Sequence, residues 1–124
     1  MSRTQLLPIL TAAFALACGD GAGPSDLAPA TAQVRVKNDY FQSEHNGREN
    51  PAIDTVRVGG TVTWTWVEGG GYHSVEPATE GAFASSGVLI GAGRTYAVTF
   101  PNAGTFHYEC GVHGFPMIGT VVVR

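Results

Sequence analysis

The sequence predicts an all-β fold, an antiparallel β-sandwich, and three observations carry that expectation. From Gln33 onward apolar residues recur at every second position rather than every 3.6. Clusters of Gly, Pro and Asn punctuate these runs at short intervals. No segment carries the apolar stripe of a helix. Short β-branched and aromatic runs at such spacing make half-buried strands that stack as two sheets.

Each element follows from its own pattern. Val34 and Val36 alternate with Arg35 and Lys37. Phe41 to Pro51 is polar and holds Asn46-Gly47, so an exposed loop is expected there. Val56 and Val58 flank Arg57, and Gly59-Gly60 turns the chain. Val62, Trp64 and Trp66 alternate with Thr61, Thr63 and Thr65, which reads the two tryptophans as core packing rather than electron relays. After Gly69 to Gly71, a further strand carries Tyr96, Val98 and Phe100 on one face. Pro101 to Gly104 turns into a strand on which Phe106, Tyr108 and Cys110 share one parity, aiming Cys110 inward. Ile118 to Val123 forms the closing strand.

The whole chain sets bounds. Its 124 residues suit one domain, and 44% hydrophobic against 14% charged residues suit a packed core. The formal charge is −3 with no basic cluster, which excludes nucleic acid as a sensible partner and leaves an acidic surface able to orient a basic one. The N-terminus reads as an export signal over residues 1–17: Arg3, then the apolar run Leu6 to Ala17, then small residues before Cys18. That run, broken by Pro8, is too short for a membrane span of roughly 20 residues. The stretch Ala15-Leu16-Ala17-Cys18 resembles a bacterial lipobox, which implies a lipid on Cys18 and a cell-envelope or periplasmic, extracytoplasmic location. Residues 18–32 are small and Pro-containing, a flexible tether with an end-to-end distance of about 20 Å. The folded domain is expected over residues 33–124. With Cys18 at the signal junction, a Cys18–Cys110 disulfide is not expected, although two cysteines in an exported chain would suggest one by default.

The chemistry concentrates in Cys110-Gly-Val-His113-Gly-Phe-Pro-Met117. This run offers a thiolate, an imidazole and a thioether, and His73 adds a second imidazole from far upstream. Thiolate and thioether sulfur favour Cu(I), whereas imidazole suits both oxidation states. One Cys and two His with a weak Met is the donor set of a blue-copper site. A buried Cys alone is usually a small core residue, and Met117 alone a core filler. His113 alone would be a surface residue, so the shared motif carries the case. His45 lies in the polar loop and His107 has outward parity, so both are expected in solvent. Glu44, Glu68, Glu76 and Glu109 read as solvated surface.

The run Gly104 to Val123, with Val58-Gly-Gly-Thr-Val-Thr-Trp64 and Tyr72-His73-Ser74-Val75, resembles the cupredoxins of the plastocyanin, pseudoazurin and amicyanin type. The resemblance implies a Greek-key β-sandwich and one-electron transfer by a single type 1 copper. It also implies His73, Cys110 and His113 as equatorial ligands and Met117 as the axial one. Where plastocyanins often have Pro, Val112 keeps an N–H that is an expected donor to the Cys110 sulfur. Ser74 replaces a common Asn, and its hydroxyl is expected to tie the two ligand loops. Glu109 replaces a Tyr often used for partner contact.

The expected function is a monomeric electron carrier, not an enzyme, docking redox proteins transiently through the apolar residues Val112, Phe115 and Pro116 beside His113. Two other readings remain open at this point. One is copper binding or delivery without a redox partner; the other is a metal-free interaction module. Zinc suits Cys and His, but Met is an odd fourth ligand for it.

Overall fold

The structure, a computed structural model, describes residues 27–124. The export segment, Cys18 and most of the expected tether lie outside the described residues. Ten strands form within them: β1 (Thr31–Val36), β2 (Phe41–Ser43), β3 (Ala52–Val56), β4 (Gly60–Trp66), β5 (Tyr72–His73), β6 (Glu76–Pro77), β7 (Leu89–Ile90), β8 (Thr95–Phe100), β9 (Gly104–Glu109) and β10 (Ile118–Val123). One four-stranded sheet has the order β2-β1-β4-β8 and the other β3-β10-β9-β6, while β5 and β7 form a separate ribbon.

The all-β sandwich is the expected fold, with one refinement in strand direction. β4–β8, β9–β10 and β1–β2 are antiparallel, but β1–β4 and β3–β10 are parallel. Each parallel pair joins strands distant in sequence. Parallel neighbours need such crossover connections, whereas hairpins give antiparallel ones.

Alternation makes the core. On β4 the even-numbered residues Val62, Trp64 and Trp66 are buried, and the threonines between them are half-buried. Trp64 meets the Tyr108 ring edge-on at 5.2 Å, and Phe41 meets it from another side at 5.0 Å. Truncating such a tryptophan to Ala costs about 3–5 kcal/mol. Gly119 lies directly under Tyr108, and a Cβ there would overlap the phenol ring.

Three expectations need correction. β1 starts at Thr31, inside the segment read as tether. Ala32 is buried and pairs with Val62, while the Pro29 and Ala30 carbonyls accept the Arg57 and Thr61 amides. The inward parity of Val34 and Val36 thus extends to Ala32, whose small side chain gives little sequence signal. The segment Phe41 to Pro51 is not wholly an exposed loop. Phe41 and Ser43 are buried on β2, where the Ser43 hydroxyl donates to Asp54 Oδ1 at 2.6 Å. A three-residue strand is too short to show a period. Lastly, β3 stops at Val56, and Val58 is exposed within the turn closed by Gly60 N–H to the Arg57 carbonyl.

Candidate metal centre

The β9–β10 ladder delivers the ligand-rich loop. Its last pair is Glu109 with Ile118. The loop is then pinned by Cys110 N–H to the Met117 carbonyl (3.0 Å), Gly114 N–H to the Cys110 carbonyl (2.7 Å) and Met117 N–H to the Gly114 carbonyl (2.8 Å). Gly114 adopts φ +61°, a left-handed turn that favours glycine. Eight residues therefore make a closed loop with few free torsions. Cys110 and Met117 are fully buried at its base, while His113 is exposed at its tip.

The fourth side chain arrives from the β5–β7 ribbon. Tyr72 faces solvent and His73 turns inward, as period two requires. His73 Nδ1 lies 3.9 Å from the Cys110 sulfur, and His113 Nδ1 lies 3.4 Å from it. The two imidazole rings are 4.8 Å apart. The donor atoms of His73, Cys110 and His113 all fall within 4.8 Å of one another. Burial, and next the charge of His113, hold the His73 imidazole below its usual pKa; the Gly70 backbone, Asp39 and Glu68 pull the other way. A buried imidazole biased toward its neutral form keeps a lone pair free for a metal.

The spacing suits a single small ion. Bonds of about 2.0–2.3 Å in a trigonal arrangement would set neighbouring donors roughly 3.6–3.8 Å apart, close to the two sulfur–nitrogen distances. Two imidazoles and a cysteine sulfur make a donor set that fits copper, and Met117, joined through its backbone to Cys110, is buried at the base of the same loop. Cys110 forms no disulfide among the described residues.

The expected tie between the two ligand loops is present. Ser74 is fully buried, and its Oγ accepts the Gly111 N–H at 2.9 Å. The expected Val112 donor is not. Among the described residues, the polar partners of the Cys110 sulfur are the two imidazoles. The loop turns instead on the Cys110 carbonyl, which takes the Gly114 N–H. His45 and His107 are both exposed, and His107 Nδ1 pairs with Thr120 Oγ1 at 3.0 Å. Of the acidic residues read as solvated, Glu44 and Glu109 are exposed, but Glu68 and Glu76 are half-buried. Glu68 accepts the Asn38 N–H at 2.9 Å, a contact that sequence pattern does not reveal.

Comparison with known proteins agrees with this geometry. The family described as copper-binding proteins of the plastocyanin/azurin family matches residues 34–124. Halocyanin of Natronomonas pharaonis is 40% identical over 78 residues, covering 60% of this chain and 47% of its own. The chain thus spans about half the length of that curated relative. Among solved structures, a purple cupredoxin from Nitrosopumilus maritimus is 26% identical with a TM-score of 0.58, covering 75% of this chain and 99% of its own. Amicyanin from Paracoccus versutus is 25% identical with a TM-score of 0.58, covering 81% and 88%.

Proposed function

We propose that this chain, which belongs to the plastocyanin/azurin family of copper-binding proteins, carries single electrons between redox partners outside the cytoplasm and is not itself a catalyst. His73, Cys110, His113 and Met117 would hold the copper. Bound copper supplies a one-electron couple. The observation that carries this reading is the convergence of three donor atoms within 4.8 Å on a closed loop and a short ribbon. A frame that already holds the donors together needs little movement when charge changes.

The unequal burial of the ligands gives the electron a direction. His73 and Cys110 are sealed, whereas His113 reaches the surface beside Val112 (47% exposed) and Phe115 (81% exposed). Partners dock transiently on this apolar rim, and electrons pass through the His113 edge. In the same reading, residues 1–17 direct export, Cys18 carries a lipid and residues 18–32 tether a monomeric domain to the membrane, although the first strand already claims the end of that tether.

The test is to titrate the purified protein with Cu(II) and record visible and paramagnetic-resonance spectra. An intense thiolate-to-copper band with a narrow hyperfine pattern, together with fast electron self-exchange, is expected. A folded but colourless protein would overturn the reading. Copper handed to an acceptor without redox turnover would favour delivery instead.

A further inference from the structure

Behind His73, on the side away from Cys110, the chain builds a second layer that the ligand set does not use. The glycine loop before β5 lies against the outer ring nitrogen. A Cβ at Gly71 would sit 2.8 Å from His73 Nε2, and Gly71 holds φ +93°. Asn38 closes on this loop from the β1–β2 turn. Its Oδ1 is 3.7 Å from the Cβ position of Gly70 and 3.8 Å from that of Gly71. The Asn38 N–H in turn donates to Glu68 Oε2 at 2.9 Å, and Val67 N–H donates to the Val36 carbonyl at 3.1 Å. These two bonds lock the turn and the glycine loop together and fix a half-buried carboxylate in the layer that covers His73.

A fixed negative charge there has an electrical consequence. The oxidised centre is one unit more positive than the reduced one, so a carboxylate held nearby stabilises oxidised over reduced. Glu68 has its carboxylate anchored by a backbone donor on the same turn that closes on the glycine loop behind His73. We propose that Glu68, pinned by the Asn38 N–H at the back of His73, is a positioning residue that sets the reduction potential of the copper centre. This rests on the electron-transfer reading.

The experiment measures the reduction potential of copper-loaded wild type, Glu68→Gln, Glu68→Asp and Glu44→Gln, the last removing an exposed carboxylate already paired with Arg35. In Glu68→Gln the side-chain amide oxygen can still accept the Asn38 N–H, so the visible band is expected to stay in place. Loss of the charge should raise the reduced-to-oxidised ratio at fixed ambient potential about threefold or more, or ~30 mV upward at 59 mV per tenfold. In 1 M salt, where the screening length is about 3 Å, the shift should shrink. Glu68→Asp should stay close to wild type, and Glu44→Gln should shift less than Glu68→Gln. A blue Glu68→Gln protein with wild-type potential would overturn the inference. So would a shift matched by Glu68→Asp or Glu44→Gln. Failure of the wild type to form a blue centre would instead defeat the functional reading beneath it.

Discussion

Replacing Ser74 by Ala tests whether the two halves of the metal centre are held by one buried hydroxyl. Ser74 follows His73 directly, and its Oγ accepts the N–H of Gly111, the residue after Cys110. The bond therefore joins the two loops that carry the sealed ligands. Leaving a buried donor unpaired costs about 1–3 kcal/mol. Gly111 is itself exposed, so water can reach its amide once the hydroxyl is gone, which puts the stability loss at about 1 kcal/mol. For a domain of this size that is a drop in Tm of about 4–8 °C. Copper affinity should suffer separately, because the loops lose the restraint that sets the His73–Cys110 approach. Removing an outer partner of a ligand typically weakens metal binding about 10–100-fold, and the lower end is expected here because the Cys110–Met117 and Cys110–Gly114 backbone bonds remain. Calorimetry on the apo protein reads the first effect, and chelator competition reads the second. Ser74→Asn, which offers an amide oxygen, should restore part of the affinity. If Ser74→Ala melts early but binds copper as tightly as wild type, the hydroxyl is only a packing element and the reasoning fails.

Three other outcomes follow from the geometry. Phe115→Asp should slow electron transfer to a physiological partner several-fold without moving the copper spectrum, since Phe115 is exposed on the His113 rim; an unchanged rate removes the docking face. Gly119→Ala should destabilise the fold by about 3 kcal/mol or more in chemical denaturation, because its Cβ would overlap the Tyr108 ring; a neutral effect would show that β10 can shift away. Burial raises the Asp54 pKa, opposed by the Ser43 hydroxyl and His45. The folded state then holds its proton to higher pH than the unfolded chain does. Its stabilisation is present below the unfolded value of about 3.9 and is lost as pH rises through the folded value. Asp54→Asn should thus gain stability relative to wild type as pH rises across that interval, and parallel thermal melts that stay equally spaced at every pH would contradict this.

The sequence was most readable where one face of a strand carries large residues over six or seven positions. β4, β8, β9 and β10 announce themselves in that way, and β10 runs over the residues expected of it. β2, β5, β6 and β7 have two or three residues each, too few for a period to rise above the background. Their places are set by partners distant in the chain. The same division runs through the metal centre. Cys110, His113 and Met117 are legible because one loop carries them, whereas His73 gained its role through family likeness. The Val112 donor failed because residue type shows that an N–H exists but not where the loop backbone aims it; the turn closed by Gly114 N–H on the Cys110 carbonyl fixes that aim. The Asn38–Glu68 bond spans 30 positions and joins two polar residues that each look solvated alone.

Placing most of the ligand set on one closed loop and the remaining imidazole on a two-stranded ribbon divides the work of holding a redox metal. The loop is stiff because β9 and β10 clamp its ends and three backbone bonds bridge it. The ribbon is small: β5 and β7 share only two residue pairs, Tyr72 with Ile90 and His73 with Leu89. So short a ladder cannot fix an imidazole by itself. His73 therefore depends on what surrounds it, with Ser74 bonded to Gly111 on the metal side and the glycine loop pressed behind it. Both supports reach outside the ribbon, one to the Cys110 loop and one, through Glu68 and Asn38, to the β1–β2 turn. The buried imidazole is thus the ligand whose position is most open to tuning. Substitutions behind it should move the redox properties of the centre more readily than substitutions within the clamped loop.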